Sequence, residues 1–163
     1  MGAKTRVLFV CMGNICRSPA AEGIFQKLVH EAELDDRIDI DSAGTLGYHA
    51  GDPADPRMRR AAARRGYDLH TLARQITPRD LREFDHILVA DHENLRNVRA
   101  LDPTGATHPK IRIITDHHPD ASIDHVPDPY YGGEAGFEAV LDMLEVSCAE
   151  LLTQVSAELK AKE

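Results

Sequence analysis

Residues Val7 to Gly23 read VLFVCMGNICRSPAAEG, and the fold of the chain turns on how this stretch divides. Thr5 to Val10 is short, apolar and closed by a loop signal, the pattern of a buried strand. Ser18-Pro19 is a strong helix start, with serine as the cap and proline at the first helical position. Ala21, Ile24, Phe25 and Leu28 then follow at helical spacing. The order is strand, loop, helix, with Cys11 where the strand ends and Arg17 just before the helix. A thiol in that place is either a small buried hydrophobe or a nucleophile, and C-x5-R by itself leaves both readings open.

Working outward, the same alternation continues. Ile38 to Ser42 reads as a second strand, followed by AGTLGYHAGDPADP, a segment rich in turn residues. Asp55-Pro56 opens a helix that Gly66 ends, and Thr77-Pro78 opens a short one. His86 to Ala90 and Ile111 to Ile114 are the third and fourth strands, and Asp91 caps a helix reaching about Arg99. HVPDPYYGGEAG is a loop. A long closing helix then carries Phe137, Val140, Leu141, Leu144, Cys148, Leu151, Leu152 and Val155 on one face. Strands alternating with helices predict an α/β fold on a parallel sheet. With no internal repeat or linker, residues 1–163 read as a single domain.

The totals narrow the function. At 163 residues, 42% apolar and 28% charged, the chain can bury one sizeable core and reads as an ordinary globular protein. No apolar run approaches the roughly 20 residues that span a bilayer. The opening MGAKTRVLFVC reads as no signal peptide. Gly2 suits a myristoylation signal, but Arg6 stands where that signal needs Ser or Thr. Three cysteines, an odd number, make no disulfide framework and point to a reducing, cytoplasmic setting. A net charge of −8 argues against a nucleic-acid partner. An anion can still bind where positive potential is concentrated.

The opening loop does that. In such folds ligands sit beyond the carboxyl ends of the strands. Backbone N–H groups between Cys11 and the helix can converge on an anion, aided by the helix dipole. Gly13 permits backbone conformations most residues resist, and Asn14 tolerates the left-handed region. Arg17 adds a planar fork that grips two phosphate oxygens. A helix N-terminus and an arginine also favour thiolate over thiol, so Cys11 becomes a nucleophile in line with a bound phosphorus. Such chemistry needs an acid for the leaving oxygen and a base for water. Asp128, held between prolines in VPDPYYGG, is the candidate.

VLFVCMGNICRSPAAEGIF, the SAGT of Ser42 to Thr45, the ARQIT of Ala73 to Thr77 and the DPYYGG of Asp128 to Gly133 together resemble the low-molecular-weight protein tyrosine phosphatases. The resemblance covers essentially the whole chain. It implies a four-stranded parallel sheet flanked by helices, a flavodoxin-like three-layer α/β/α arrangement. It also implies cofactor-free, metal-independent hydrolysis of phosphotyrosine in protein substrates through a phosphocysteine. On this sequence Cys11 is then the nucleophile, Arg17 the phosphate clamp and Asp128 the acid that becomes the base. The amides of Met12, Gly13, Asn14, Ile15, Cys16 and Arg17 bind phosphate oxygens, with inorganic phosphate and other oxyanions as competing ligands. Ser18 bonds the Cys11 sulfur, Asn14 and Ser42 brace the loop, and Tyr48, Tyr130 and Tyr131 line the substrate slot. The resemblance further implies a reversible Cys11–Cys16 disulfide, set against a plain packed side chain at Cys16. One departure stands out: the family often has His-x-Ala-Arg before the glutamine, whereas DLHTLARQ puts His70 one position early and Thr71 in its place.

The remaining features read more plainly. Cys148 on an apolar helix face is core filler. His117, His118 and His125 lack metal-site spacing and are solvated loop residues. Arg57, Arg59, Arg60, Arg64 and Arg65 form a solvated face or a dock for acidic phosphopeptides. Exposed Tyr130 and Tyr131 are compatible with a monomer or weak self-association, and no membrane partner is indicated. Two rivals remain. Arsenate reduction needs a relay of further cysteines, and beyond Cys16 there is only Cys148. A phosphotyrosine-binding module without turnover is expected to lack the thiol, the arginine or the acid, and all of these are present.

Overall fold

Alternation along β1 (Thr5–Cys11) decides how the layers stack: Val7, Phe9 and Cys11 are buried with one set of helices, Leu8 and Val10 with another. The computed structural model of the chain describes residues 4–162, so Gly2 lies outside the described residues. After β1 come α1 (Arg17–Glu31), β2 (Ile38–Gly44), α2 (Pro56–Arg64), α3 (Pro78–Glu83), β3 (His86–Val89), α4 (His92–Arg99), β4 (Ile111–Ile113) and α5 (Glu134–Ala161). Four parallel strands form one sheet in the order β2-β1-β3-β4.

On one face α1, α2 and α5 cover Val7, Phe9 and Cys11, with Phe25 edge-on to Phe9 at 5.5 Å between ring centroids. Cys148 lies fully buried in this layer, where desolvation pushes its thiol well up. On the other face Leu81 of α3, Phe84 just after it and Val98 of α4 close over Leu8 and Val10. Helices on both faces of a parallel sheet make the α/β fold the alternation predicts, in the three-layer arrangement the resemblance implies. Among the described residues no helix is long and apolar enough to cross a membrane.

Strand ends shift by a residue, with β1 reaching Cys11 and β3 and β4 stopping at Val89 and Ile113, and two further boundaries differ from the sequence reading for local reasons. Helix α1 begins at Arg17 with Cys16 as its cap residue, not at Ser18. The Ser18 hydroxyl is engaged with Asn14 and Cys11 and does not cap. Strand β2 continues past Ser42 to Gly44, where a Cβ would lie 2.8 Å from the Met12 carbonyl. Glycine lets the second strand run flush under the opening loop. The other helix starts follow the sequence signals. Asp55 accepts from the Arg57 N–H, Asp91 from the Asn94 N–H and Asp80 from the Thr77 N–H, each at 2.8 Å.

The topology places the site. The chain leaves β1 toward β2 on one side and returns to β3 on the other, so the carboxyl end of β1 is the switch point where such folds bind ligands. Cys11 is the last residue of that strand.

Asp80 ties this edge together, because its carboxylate also meets Arg74 at 3.0 and 3.1 Å. Burial favours the neutral form of Asp80, but Arg74 and Thr77 outweigh it and hold the carboxyl below the ordinary aspartate range. A depressed carboxyl stabilises the fold above its unfolded value and stops doing so as pH falls through the folded one. Asp80→Asn is therefore expected to lower stability by about 1–2 kcal/mol at neutral pH. In urea unfolding, the gap between wild type and variant stays full above roughly pH 4 and closes below it. A gap that does not change with pH contradicts the assignment.

Candidate active site

Between Cys11 and α1 three backbone carbonyls are taken up by neighbouring segments. The Cys11 carbonyl accepts from Thr45 N–H at 2.9 Å, the Met12 carbonyl from Leu46 at 3.0 Å, and the Ile15 carbonyl from Asp55 at 2.8 Å. Among the described residues, none of the amides from Gly13 to Cys16 donates to another backbone or side-chain atom. The first turn of α1 likewise has no side-chain cap. Unpartnered N–H groups beside a positive helix end are what a nest for an oxyanion requires.

The turn depends on Asn14, which adopts φ +58°, the left-handed region. The sequence reading placed conformational freedom at Gly13 as well. There the constraint is space, since a Cβ on Gly13 would stand 3.2 Å from the His49 ring. Asn14 is 2% exposed and fully used. Its Nδ2 donates to Ser18 Oγ at 2.7 Å and to Ser42 Oγ at 3.0 Å, and its Oδ1 accepts from Arg74 N–H at 3.0 Å. Ser18 Oγ lies 3.0 Å from Cys11 Sγ.

Arg17 is buried, and its guanidinium is aimed by the protein. Nη1 donates to Asp91 Oδ2 at 2.6 Å and to the Val126 carbonyl at 2.9 Å, while Nη2 approaches Asp128 at 3.9 Å. Burial opposes the charge on Arg17, and the Cys11 sulfur and Asp91 outweigh it. Cys16 is different. Burial and then Asp55 push its thiol well up, so it stays protonated. Both thiols border the cleft that opens over the loop.

Cys11, Met12, Gly13, Ile15, Cys16 and Arg17 floor a cleft of about 380 Å³, and its walls include Tyr48, Asp128, Tyr130 and Tyr131. Asp128 is on the rim, with Oδ1 accepting from Tyr130 N–H at 3.0 Å. Tyr48 and Tyr131 are 86% and 95% exposed, and their rings are open to solvent. Tyr130 is better fixed, with the Arg57 guanidinium 5.1 Å from its ring centroid. The arginines of α2 and its cap are partly engaged in structure: Arg57 grips Asp55, and Arg64 and Arg65 bind Glu138. A larger recess of about 530 Å³ lies behind α1, lined by Glu22, His70 and Thr71 among others, with no cysteine or arginine in its walls.

The structure thus brings together Cys11, the Met12–Arg17 loop, Ser18, Ser42, Asp128 and the tyrosines. It adds Asp91, which the sequence marked only as a helix cap; one oxygen caps α4 while the other aims Arg17. It also adds Glu22 and Arg74. His70 points to solvent, 73% exposed at its side chain, whereas Thr71 donates to Glu22 at 3.0 Å.

Residues 6–161 match the family model described as low molecular weight phosphotyrosine protein phosphatase. A Synechocystis sp. chain classed with the low molecular weight protein-tyrosine-phosphatases is 50% identical over 154 residues, covering 94% of this chain and 98% of its own. The human low molecular weight phosphotyrosine protein phosphatase is 39% identical, with 92% and 95% covered. A protein tyrosine phosphatase from Entamoeba histolytica, solved with Hepes in its active site, superposes with a TM-score of 0.91 at 39% identity, over 95% of this chain and 99% of that one. These findings bear out the family resemblance and the fold class.

Asn14 gives a direct test of the loop. Asn14→Ala forfeits three hydrogen bonds and the tolerance for positive φ, an expected loss of about 2–4 kcal/mol in denaturant unfolding. Asn14→Gly restores the backbone freedom but not the bonds, and regains only about 1 kcal/mol of that. Full wild-type stability in the glycine variant is the outcome that removes the bracing role.

Proposed function

The chain belongs to the low molecular weight phosphotyrosine protein phosphatase family, and on that premise we propose that it hydrolyses phosphotyrosine in protein substrates through a phosphocysteine on Cys11. The observation that carries this reading is the Cys11 thiol in the cleft lining, 3.0 Å from a serine hydroxyl and sharing that cleft with a buried, aimed arginine. The phosphate dianion takes the loop amides and the Arg17 fork, which are arranged before it arrives. Preorganised donors of that kind lower the cost of charge as it builds on the equatorial oxygens.

Cys11 Sγ attacks phosphorus in line. The S–P bond forms, the bond from phosphorus to the tyrosyl oxygen breaks, and Asp128 gives its proton to that oxygen. Asp128, now a carboxylate, takes a proton from water, whose oxygen attacks the phosphocysteine. The P–S bond breaks, inorganic phosphate leaves, and the Ser18 hydroxyl stabilises the thiolate that departs. Each step returns its proton, so the cycle needs no cofactor. Tyrosine selectivity follows from depth: an aryl ester reaches the cleft floor between the tyrosine rings, and a phosphoserine is too short. Inorganic phosphate and similar oxyanions compete for the same nest.

Hydrolysis of aryl phosphates in EDTA tests this. Wild type is expected to give a bell-shaped pH profile, because a deprotonated nucleophile and a protonated acid are needed together. Cys11→Ser loses all turnover. Asp128→Ala loses roughly 10²–10⁴-fold with phenyl phosphate, and much less with p-nitrophenyl phosphate, whose phenolate leaves without help. Turnover in Cys11→Ser removes the nucleophile, and equal losses on both esters remove Asp128 as the acid.

A further inference from the structure

The hydroxyls and amides behind Cys11 have assignable protons, because a carboxylate sits at the end of their chain. Glu22, on α1, receives the Ser42 hydroxyl at 2.6 Å and the Thr71 hydroxyl at 3.0 Å, both on Oε1. A carboxylate only accepts, so the one proton of Ser42 is committed to Glu22. Ser42 Oγ is then free to accept from Asn14 Nδ2. That fixes the Asn14 amide with its nitrogen toward the serines and its oxygen toward the Arg74 N–H. The second Nδ2 proton goes to Ser18 Oγ at 2.7 Å. Ser18 has one proton left to give, and the Cys11 sulfur at 3.0 Å is nearer than the Ala43 carbonyl at 3.4 Å.

We infer that Glu22 is a positioning residue for the thiolate: through Ser42 and Asn14, it directs the Ser18 hydroxyl proton onto the Cys11 sulfur. Its carboxylate never touches the reacting atoms. A Glu22 protonated on Oε1 and donating to Ser42 would leave the Ser42 proton facing the Asn14 amide nitrogen, with no lone pair to meet, and one protonated on Oε2 would keep the order but accept more weakly. Flipping the amide instead would set its N–H groups against the Arg74 N–H. The chain of bonds is consistent in one direction only, the one that ends at sulfur.

Thr71 occupies the position where the family often carries histidine, and its hydroxyl caps Glu22. Burial raises the Glu22 carboxyl above the ordinary range; the Ser42 and Thr71 hydroxyls and His70 oppose this, and Asp41 adds to it. Across the recess on that side stand Lys27, His30, Asp35, Tyr67 and Asp68. A raised carboxyl takes up its proton at a higher pH than an exposed glutamate does. Glu22 therefore adds an acid-side loss of thiolate stabilisation, distinct from the protonation of Cys11 itself.

This inference rests on Cys11 as the nucleophile, and its test is separable from that reading. Cys11 alkylation by iodoacetamide, resolved by mass spectrometry from Cys16 and Cys148, is followed against pH in wild type, Glu22→Gln and Glu22→Ala. The Glu22→Gln amide keeps one oxygen for both hydroxyls and does not titrate. Glu22→Ala is expected to move the alkylation midpoint up by about half a unit to one unit, with kcat lowered and KM little changed. Glu22→Gln is expected to keep the wild-type midpoint and rate near neutrality and to lose the added acid-side inflection of kcat. A wild-type midpoint in folded Glu22→Ala overturns the inference, since a merely structural role lowers the melting temperature alone. Should Glu22→Ala fail to fold, a Glu22→Gln profile identical to wild type overturns it. If Cys11→Ser retains turnover, the nucleophile reading has failed instead, whatever Glu22 does.

Discussion

A backbone that offers its amides to an anion must be paid for in conformation, and here the residue that carries the strain is Asn14. At φ +58° it turns the loop between β1 and α1, whose carbonyls bind neighbouring segments while, among the described residues, the N–H groups from Gly13 to Cys16 have no partner. A non-glycine residue in that region costs about 1–2 kcal/mol, which its three side-chain hydrogen bonds offset. Those bonds do more than hold a turn. They connect the strand that carries Cys11 to β2 through Ser42, to α1 through Ser18, and to the segment before α3 through Arg74. One buried, saturated amide thus ties three segments together.

The sheet supplies the frame for that amide. With β1 central and its neighbours laid down on opposite sides, the loop after β1 opens at the switch point, flanked by the ends of β2 and β3. Gly44 brings β2 flush beneath it, and Asp91, just after β3, reaches Arg17 from the other flank. Asp128 arrives from the segment before α5 and stays at the rim, where a leaving oxygen and a water molecule both have access. Cys11 is buried and Asp128 is exposed, which suits the proposed reaction, whose nucleophile must be desolvated and whose acid must meet solvent.

Much of this was legible in the sequence, for physical reasons that also mark the limit. Strand and helix periods, Asp-Pro and Thr-Pro starts, and the Cys-to-Arg spacing are local patterns, and local geometry obeys them closely. The Asp91 cap follows from its place before α4, but its second oxygen binds Arg17 74 positions away. Arg74 meets Asn14 across 60 positions and Thr71 meets Glu22 across 49. Partners at such separations have no periodic trace in one chain. Ser18 misled for the same reason: its serine-proline pattern signals a cap, while the hydroxyl is drawn to Cys11 and Asn14 by contacts the pattern does not contain. The departure at His70 and Thr71 was visible as text, but that Thr71 takes up Glu22 needed the fold.

The central claim is that phosphate passes through Cys11. Rapid acid quench of the wild-type enzyme with excess p-nitrophenyl phosphate, followed by peptide mapping within the first turnover, tests it most directly. The account predicts a burst of p-nitrophenol approaching one per active site and a phosphorylated peptide whose modification lies on Cys11. Phosphate on another side chain, or steady release with no burst and no labelled peptide even when dephosphorylation is slow, would contradict it.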